Sequence, residues 1–166
     1  MQTHDWSQFL LRIPINASLQ TIYDAWSSQE ALESWFLRKA EFKGPDGRTK
    51  DIKARIEIND VYEWMWHGWP DEIIERGTII QANGKDLIKF SFGKAGNVTV
   101  TVNEEQGKNV LQLQQDEIPT DENGQVNYHI GCTKGWVFYL ANLKSILEGG
   151  IDLRNREVEL KDVISS

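Results

Sequence analysis

A chain of 166 residues, 40% apolar and 26% charged, fits one globular domain that buries roughly 70% of its unfolded surface without staples. Its formal net charge of −7 is not offset by any basic run, which excludes a phosphate-tracking nucleic-acid surface and opposes an anionic membrane. The one cysteine, Cys132, excludes an intramolecular disulfide and a Cys-rich zinc site.

Met1 to Leu11 lacks a basic region followed by an apolar stretch, so no signal peptide is expected. No apolar run approaches the ~20 residues that span a bilayer, and the expected compartment is the cytoplasm. Seven Trp, six Phe and four Tyr are many for this length. Such rings build cores, and they also line cavities and interfaces.

Phe9 to Ile15 alternates loosely and stops at Pro14 and Asn16, as a first strand near a sheet edge does. Ser18 then caps a short helix with one apolar stripe, Leu19, Ile22, Tyr23 and Trp26. Ser27 with Glu30 makes a capping-box pattern for a second short helix, whose apolar face is Leu32, Trp35 and Phe36. Gly44-Pro45-Asp46-Gly47 is a turn, and Arg48 to Asn59 reads as a loop with some extended character.

Beyond Asn59 the period becomes two. Tyr62, Trp64 and Trp66 alternate with Glu63, Met65 and His67, and Glu63 and His67 share a face as a solvated pair. Ile73 to Gln81 is a strand, and Asn83-Gly84 is the strongest short hairpin signal in the chain. Ile88, Phe90 and Phe92 form the next apolar face, followed by Val98, Val100 and Val102 and then by Leu111 and Leu113. Alternation of this kind means an antiparallel sheet with one wet face.

Asp121 to Gly124 is a loop, and Asn127 caps the last helix. His129, Thr133, Trp136, Leu140, Leu143 and Leu147 recur at steps of four and three, one stripe along a helix of about 30 Å. Gly149-Gly150 ends it. The reading is one domain over 1–150 and a charged tail over 151–166 that packs only in part. A sheet with one apolar face needs a cover, and only this helix is long enough. The fold class is therefore α+β: a curved antiparallel sheet wrapped around a long C-terminal helix, with two short helices after strand 1.

Gly131 and Gly135 interrupt the helix where its stripe turns polar, at a cost of up to ~1 kcal/mol each against alanine. Two readings stay open: a cavity lined by His129, Thr133 and Trp136, or close approach of the helix backbone to the sheet. His129 and Cys132 are one turn apart, but the other histidines are only His67 and His4. A buried thiol beside an ordinary histidine is the preferred reading over a metal site, and no third group orients a Cys nucleophile. Phosphate-binding, dinucleotide, His-Glu-x-x-His and nucleophile-elbow motifs are absent. No catalytic residue, metal or cofactor is assigned.

The segment from Gly135 to Gly150 has the spacing Trp-x-x-x-Leu-x-x-Leu-x-x-x-Leu-x-x-Gly, and Ala25-Trp26 and Trp35-Phe36 precede it. With the order of elements, over about residues 9 to 150, this resembles the START-like (SRPBCC) superfamily, in the branch named after the activator of the Hsp-90 ATPase. The resemblance implies a helix-grip fold with a hydrophobic cavity between sheet and helix. Relatives include lipid carriers, polyketide cyclases and aromatases, and chaperone regulators, with no shared catalytic set. The leading expectation is a domain that binds a hydrophobic small molecule or lipid, its cavity lined by Trp26, Trp35, Trp64, Trp66, Phe90, His129, Thr133 and Trp136. Alternatives are a chaperone-interacting protein and a cyclase-, aromatase- or hydrolase-like enzyme. A homodimer is left open.

Overall fold

The computed structural model describes residues 3–164. Strand β1 (Phe9–Pro14) leads into α1 (Leu19–Asp24) and α2 (Gln29–Trp35). Six strands follow: β2 (Lys39–Lys43), β3 (Val61–Met65), β4 (Glu75–Ala82), β5 (Leu87–Ser91), β6 (Asn97–Glu105) and β7 (Lys108–Asp116). The last helix, α3, runs over Gly131–Leu147 after a wider π-type winding at Gly124–Ile130. Among the described residues the seven strands make one antiparallel sheet in the order β1-β7-β6-β5-β4-β3-β2. This is the curved-sheet and long-helix architecture that the sequence predicts.

Alternation decides which face is wet. Val98, Val100 and Val102 of β6 and Leu111 and Leu113 of β7 are buried, while their neighbours Thr99, Thr101, Gln112 and Gln114 are more open. On the covered side lie Trp136, Leu140 and Leu143 of α3, all buried. Each contributes about 1.5–3 kcal/mol of apolar transfer. The ridge that starts at His129 therefore faces the sheet, as its spacing requires.

Several details differ from the sequence reading. The cap of α2 is Ser28, whose hydroxyl accepts from the Ala31 N–H at 3.2 Å, whereas the Ser27 hydroxyl donates to Asp24 O. Asn127 lies inside the last helical segment and donates to Asn123. Asp121 does the capping instead, taking the Gly124 N–H at 2.8 Å. Gly124 is required there because any Cβ would run into the Pro119 carbonyl. The Asn83-Gly84 hairpin is longer than two residues: Asn83 Oδ1 accepts from the N–H groups of Lys85, Asp86 and Leu87. Strand β2 had no reading because it offers only Ala40 and Phe42 to the core between charged residues. Glu63 pairs with Arg76 across to β4 rather than with His67.

The tail is tied down near its start. Arg154 is buried, and its guanidinium donates to the carbonyls of Glu33, Ser34 and Leu37 at the end of α2. It also pairs with Asp152 at 2.8 Å. Burial alone would raise the Asp152 carboxyl, but hydrogen bonds from Arg154 and Arg156 outweigh it and hold the group well below the usual carboxylate range. A cation at a helix C-terminus also suits the helix dipole. Asn142 of α3 completes the strap, donating to Trp35 O and Asp152 and accepting from the Leu153 N–H. Arg154→Ala leaves three carbonyls without their donor, so urea unfolding should show a loss of about 2–4 kcal/mol. A change within 0.5 kcal/mol would show that the strap is peripheral.

Candidate functional site

The helix and sheet do not close evenly. Where β3 runs out into Trp66 and β5 into Phe92, the first turns of α3 stand off, leaving a groove of about 300 Å³. Gly131, Gly135 and Tyr139 follow one another at helical steps of four along its helix side. A Cβ placed on Gly135 would meet nothing within 4 Å, and one on Gly131 only Val126 O at 3.5 Å. At Gly135, then, the glycine leaves open space and is not demanded by contact with the sheet. The wider winding before Gly131 carries its N–H to Val126 O, and Asn127 from that winding reaches the groove rim.

The remaining walls are aromatic. Phe36 follows α2, Trp66 and Trp69 come from the loop after β3, and Ile73 and Phe92 flank β4 and β5. Phe36 lies 4.9 Å from Trp136 and 4.9 Å from Tyr139, ring centre to ring centre, and Phe92 lies 5.7 Å from Trp136. Trp136 is held from behind: its indole N–H donates to Gln115 Oε1 at 3.0 Å, and Gln115 donates to Ala95 O at 2.8 Å. A second cleft of about 590 Å³ lies beyond Trp69, between Phe138 and Lys134 of α3 and the tail segment 160–164. Both share Trp69, Gly131, Gly135 and Tyr139.

Of the residues that the sequence singles out, Trp66 and Trp136 border the groove. Trp26, Trp35, Trp64 and Phe90 stand behind it as buried core rings, Trp26 packing 4.7 Å from Trp35 and Trp64 5.1 Å from Phe90. His129 sits by the N-terminal segment, against His4, Trp6 and Phe9, with its Nε2 3.0 Å from Gln8 O. Thr133 turns its hydroxyl back to His129 O at 2.6 Å. Phe36, Trp69, Ile73, Phe92, Asn127, Gly131, Cys132, Gly135 and Tyr139 are the groove residues outside that set. Gly131 and Gly135 mark the helix side of the groove in the sequence, one register away from the core stripe, and nothing comparable marks Phe36, Trp69, Ile73 or Phe92.

Two ionisable groups lie close by. Glu75 holds an inward position of β4 with Gly77 and Ile79, and its carboxylate rests on Gly93, next to Phe92. Burial raises its carboxyl above the ordinary value, against a weak pull from the Arg76 N–H. Burial also pushes the Cys132 thiol up, partly offset by Gln115 and reinforced by Glu75. Among the described residues no group of three or more His, Cys, Asp or Glu side chains is placed to hold a metal ion.

Comparison with known proteins identifies the family and the fold. The profile of the family described as Activator of Hsp90 ATPase homolog 1-like protein matches residues 16–148. The chain belongs to that family. No curated protein matches the sequence. Among solved structures, a Staphylococcus saprophyticus protein is 19% identical, with TM-score 0.67 over 89% of this chain and 96% of its own. The Aha1 dimer from Colwellia psychrerythraea is 14% identical, with TM-score 0.63 over 86% and 97%. A Nitrosomonas europaea protein is 8% identical, with TM-score 0.66 over 88% and 97%. At such identities the likeness is one of fold. No helix among the described residues is long and apolar enough to cross a membrane.

Gly135→Ala should raise stability by about 0.5–1 kcal/mol, since the helix gains propensity and the methyl enters open space. A lowered urea midpoint would mean that the backbone there is in contact after all. Cys132 should alkylate with iodoacetamide at pH 8 more slowly in the native protein than in urea. Because the native thiol keeps its proton to higher pH than the unfolded one, stability should also fall as pH rises past the ordinary thiol range. Equal alkylation rates would contradict the burial.

Proposed function

We propose that this member of the family is a binding domain that takes a small, mainly apolar ligand in the groove between the sheet and α3. The observation that carries it is the open space beside Gly135, ringed by Phe36, Trp66, Phe92, Trp136 and Tyr139. A volume of about 300 Å³ is at the lower end of the range for small-molecule sites, and apolar walls with few polar groups are their usual make-up. Trp66 and Trp136 offer ring faces or edges to the ligand, while Trp26, Trp35, Trp64 and Phe90 keep those walls from collapsing. Each 100 Å² of apolar ligand surface removed from water would supply about 2.5 kcal/mol before the costs of association.

Tryptophan fluorescence titrated with fatty acids, sterols and aromatic metabolites should show a saturable change with at least one of them. Gly135→Leu should abolish that change, because its side chain occupies the groove, while thermal melting shows a folded protein. No saturable response from any compound would overturn the reading.

A second reading, a chaperone as partner, draws support from the family match over residues 16–148 and from the exposed apolar residues Val126, Ile130 and Val137. These lie at helical steps of four and seven on the outer face of the last helical segment, where an exposed apolar stripe suits a protein partner. Val137→Asp should then abolish any stimulation of the chaperone's ATPase rate. A wild-type protein without effect on that rate removes this reading.

A further inference from the structure

We propose that the groove's ligand is an apolar monocarboxylate whose body lies against Trp136 and whose carboxylate meets Lys134 in the outer cleft. The inference rests on the groove reading above and adds a chemical class and an orientation to it. The two clefts meet at Trp69 and share Gly135, so a ligand that outgrows the inner groove emerges beside Lys134, the residue preceding Gly135.

Charge separates the two ends. The outer cleft presents Lys134, Lys161 and Asp162, two cations against one carboxylate in a chain of net charge −7. Lys161 donates to Val158 O at 2.9 Å. Lys134 is exposed and, like Lys53, Lys85, Lys89, Lys94, Lys108 and Lys161, makes no ion pair among the described residues; of these lysines, Lys134 and Lys161 border the outer cleft. Outside the groove lining, the Glu75 carboxylate rests on Gly93, the residue after Phe92 of the groove wall, and among the described residues no cation pairs with it. An anionic group placed inward would meet like charge and a low-dielectric wall; placed outward it meets an unpaired ammonium. The half-buried Cys132 thiol, whose proton is held to higher pH than usual, adds no opposing charge.

Calorimetric titration of the whole chain with 2-naphthoate and with 2-naphthamide compares ligands of one shape that differ in charge. The naphthoate should bind about fivefold more tightly at low salt, the range for a partly exposed charge pair, and the advantage should vanish in 0.5 M KCl. Lys134→Glu, at an exposed helical position, should reverse the preference. Equal binding of the two, or a preference that Lys134→Glu does not alter, would overturn the inference and leave the groove reading standing. Binding of neither would also overturn it. The wider fluorescence panel then decides separately whether the groove binds anything.

Discussion

The indole N–H of Trp136 donates to the side chain of Gln115, 3.0 Å away, where both residues are buried. The glutamine in turn donates to Ala95 O, so this buried amide has partners at both ends, and breaking the chain would strand groups at about 1–3 kcal/mol each. Apolar burial of the helix on the sheet is not directional. This hydrogen bond is directional. It acts with the burial of Leu140 and Leu143 against the strands, which leaves Gly131, Gly135 and Tyr139 on the side of Phe36 and Phe92.

The same helix locks the opposite side of the molecule. Asn142 reaches Trp35 O, Asp152 and the Leu153 N–H, and Arg154 closes the end of α2. Trp35 and Phe36 are thereby fixed relative to Trp136. The groove lies where these elements surround a stretch of helix in which two glycines, Gly131 and Gly135, present no side chain. A site framed by locked elements keeps its shape when empty, which is what binding without a large ordering cost requires.

That frame contains costs that core stability alone would not select. Gly131 and Gly135 weaken the helix, and the indole N–H groups of Trp26 and Trp64 are buried with no hydrogen-bond partner among the described residues. Glu75 is half-buried without a cation near the groove wall, and its proton is held more tightly for that reason. Stability given up in one place is a common mark of a functional surface.

Local pattern was enough for the framework. Alternation in β6 and β7 and the ridge from His129 to Leu147 each depend on a fixed period, so the sequence states which face is covered. Ser18 as a cap and Gly149-Gly150 as a stop are local chemistry as well. Ser28 and Asp121 cap in place of Ser27 and Asn127 because cap oxygens of equal chemistry lie within a few residues, and backbone geometry chooses between them. Family likeness supplied the helix-grip expectation, and the spacing of the glycines marked the helix region where the groove lies. Which aromatics border that groove and which stand behind it was not legible: Trp64 and Trp66 alternate identically in sequence. Only the ending of β3 at Met65 and the turn of the chain past Trp66 separate the two. His129, likewise on the right helical face, was captured by Gln8 and the N-terminal residues, 121 or more positions away. A side chain's face follows from periodicity, which is local. Its neighbours follow from loop closure and long-range packing, which no window of sequence contains.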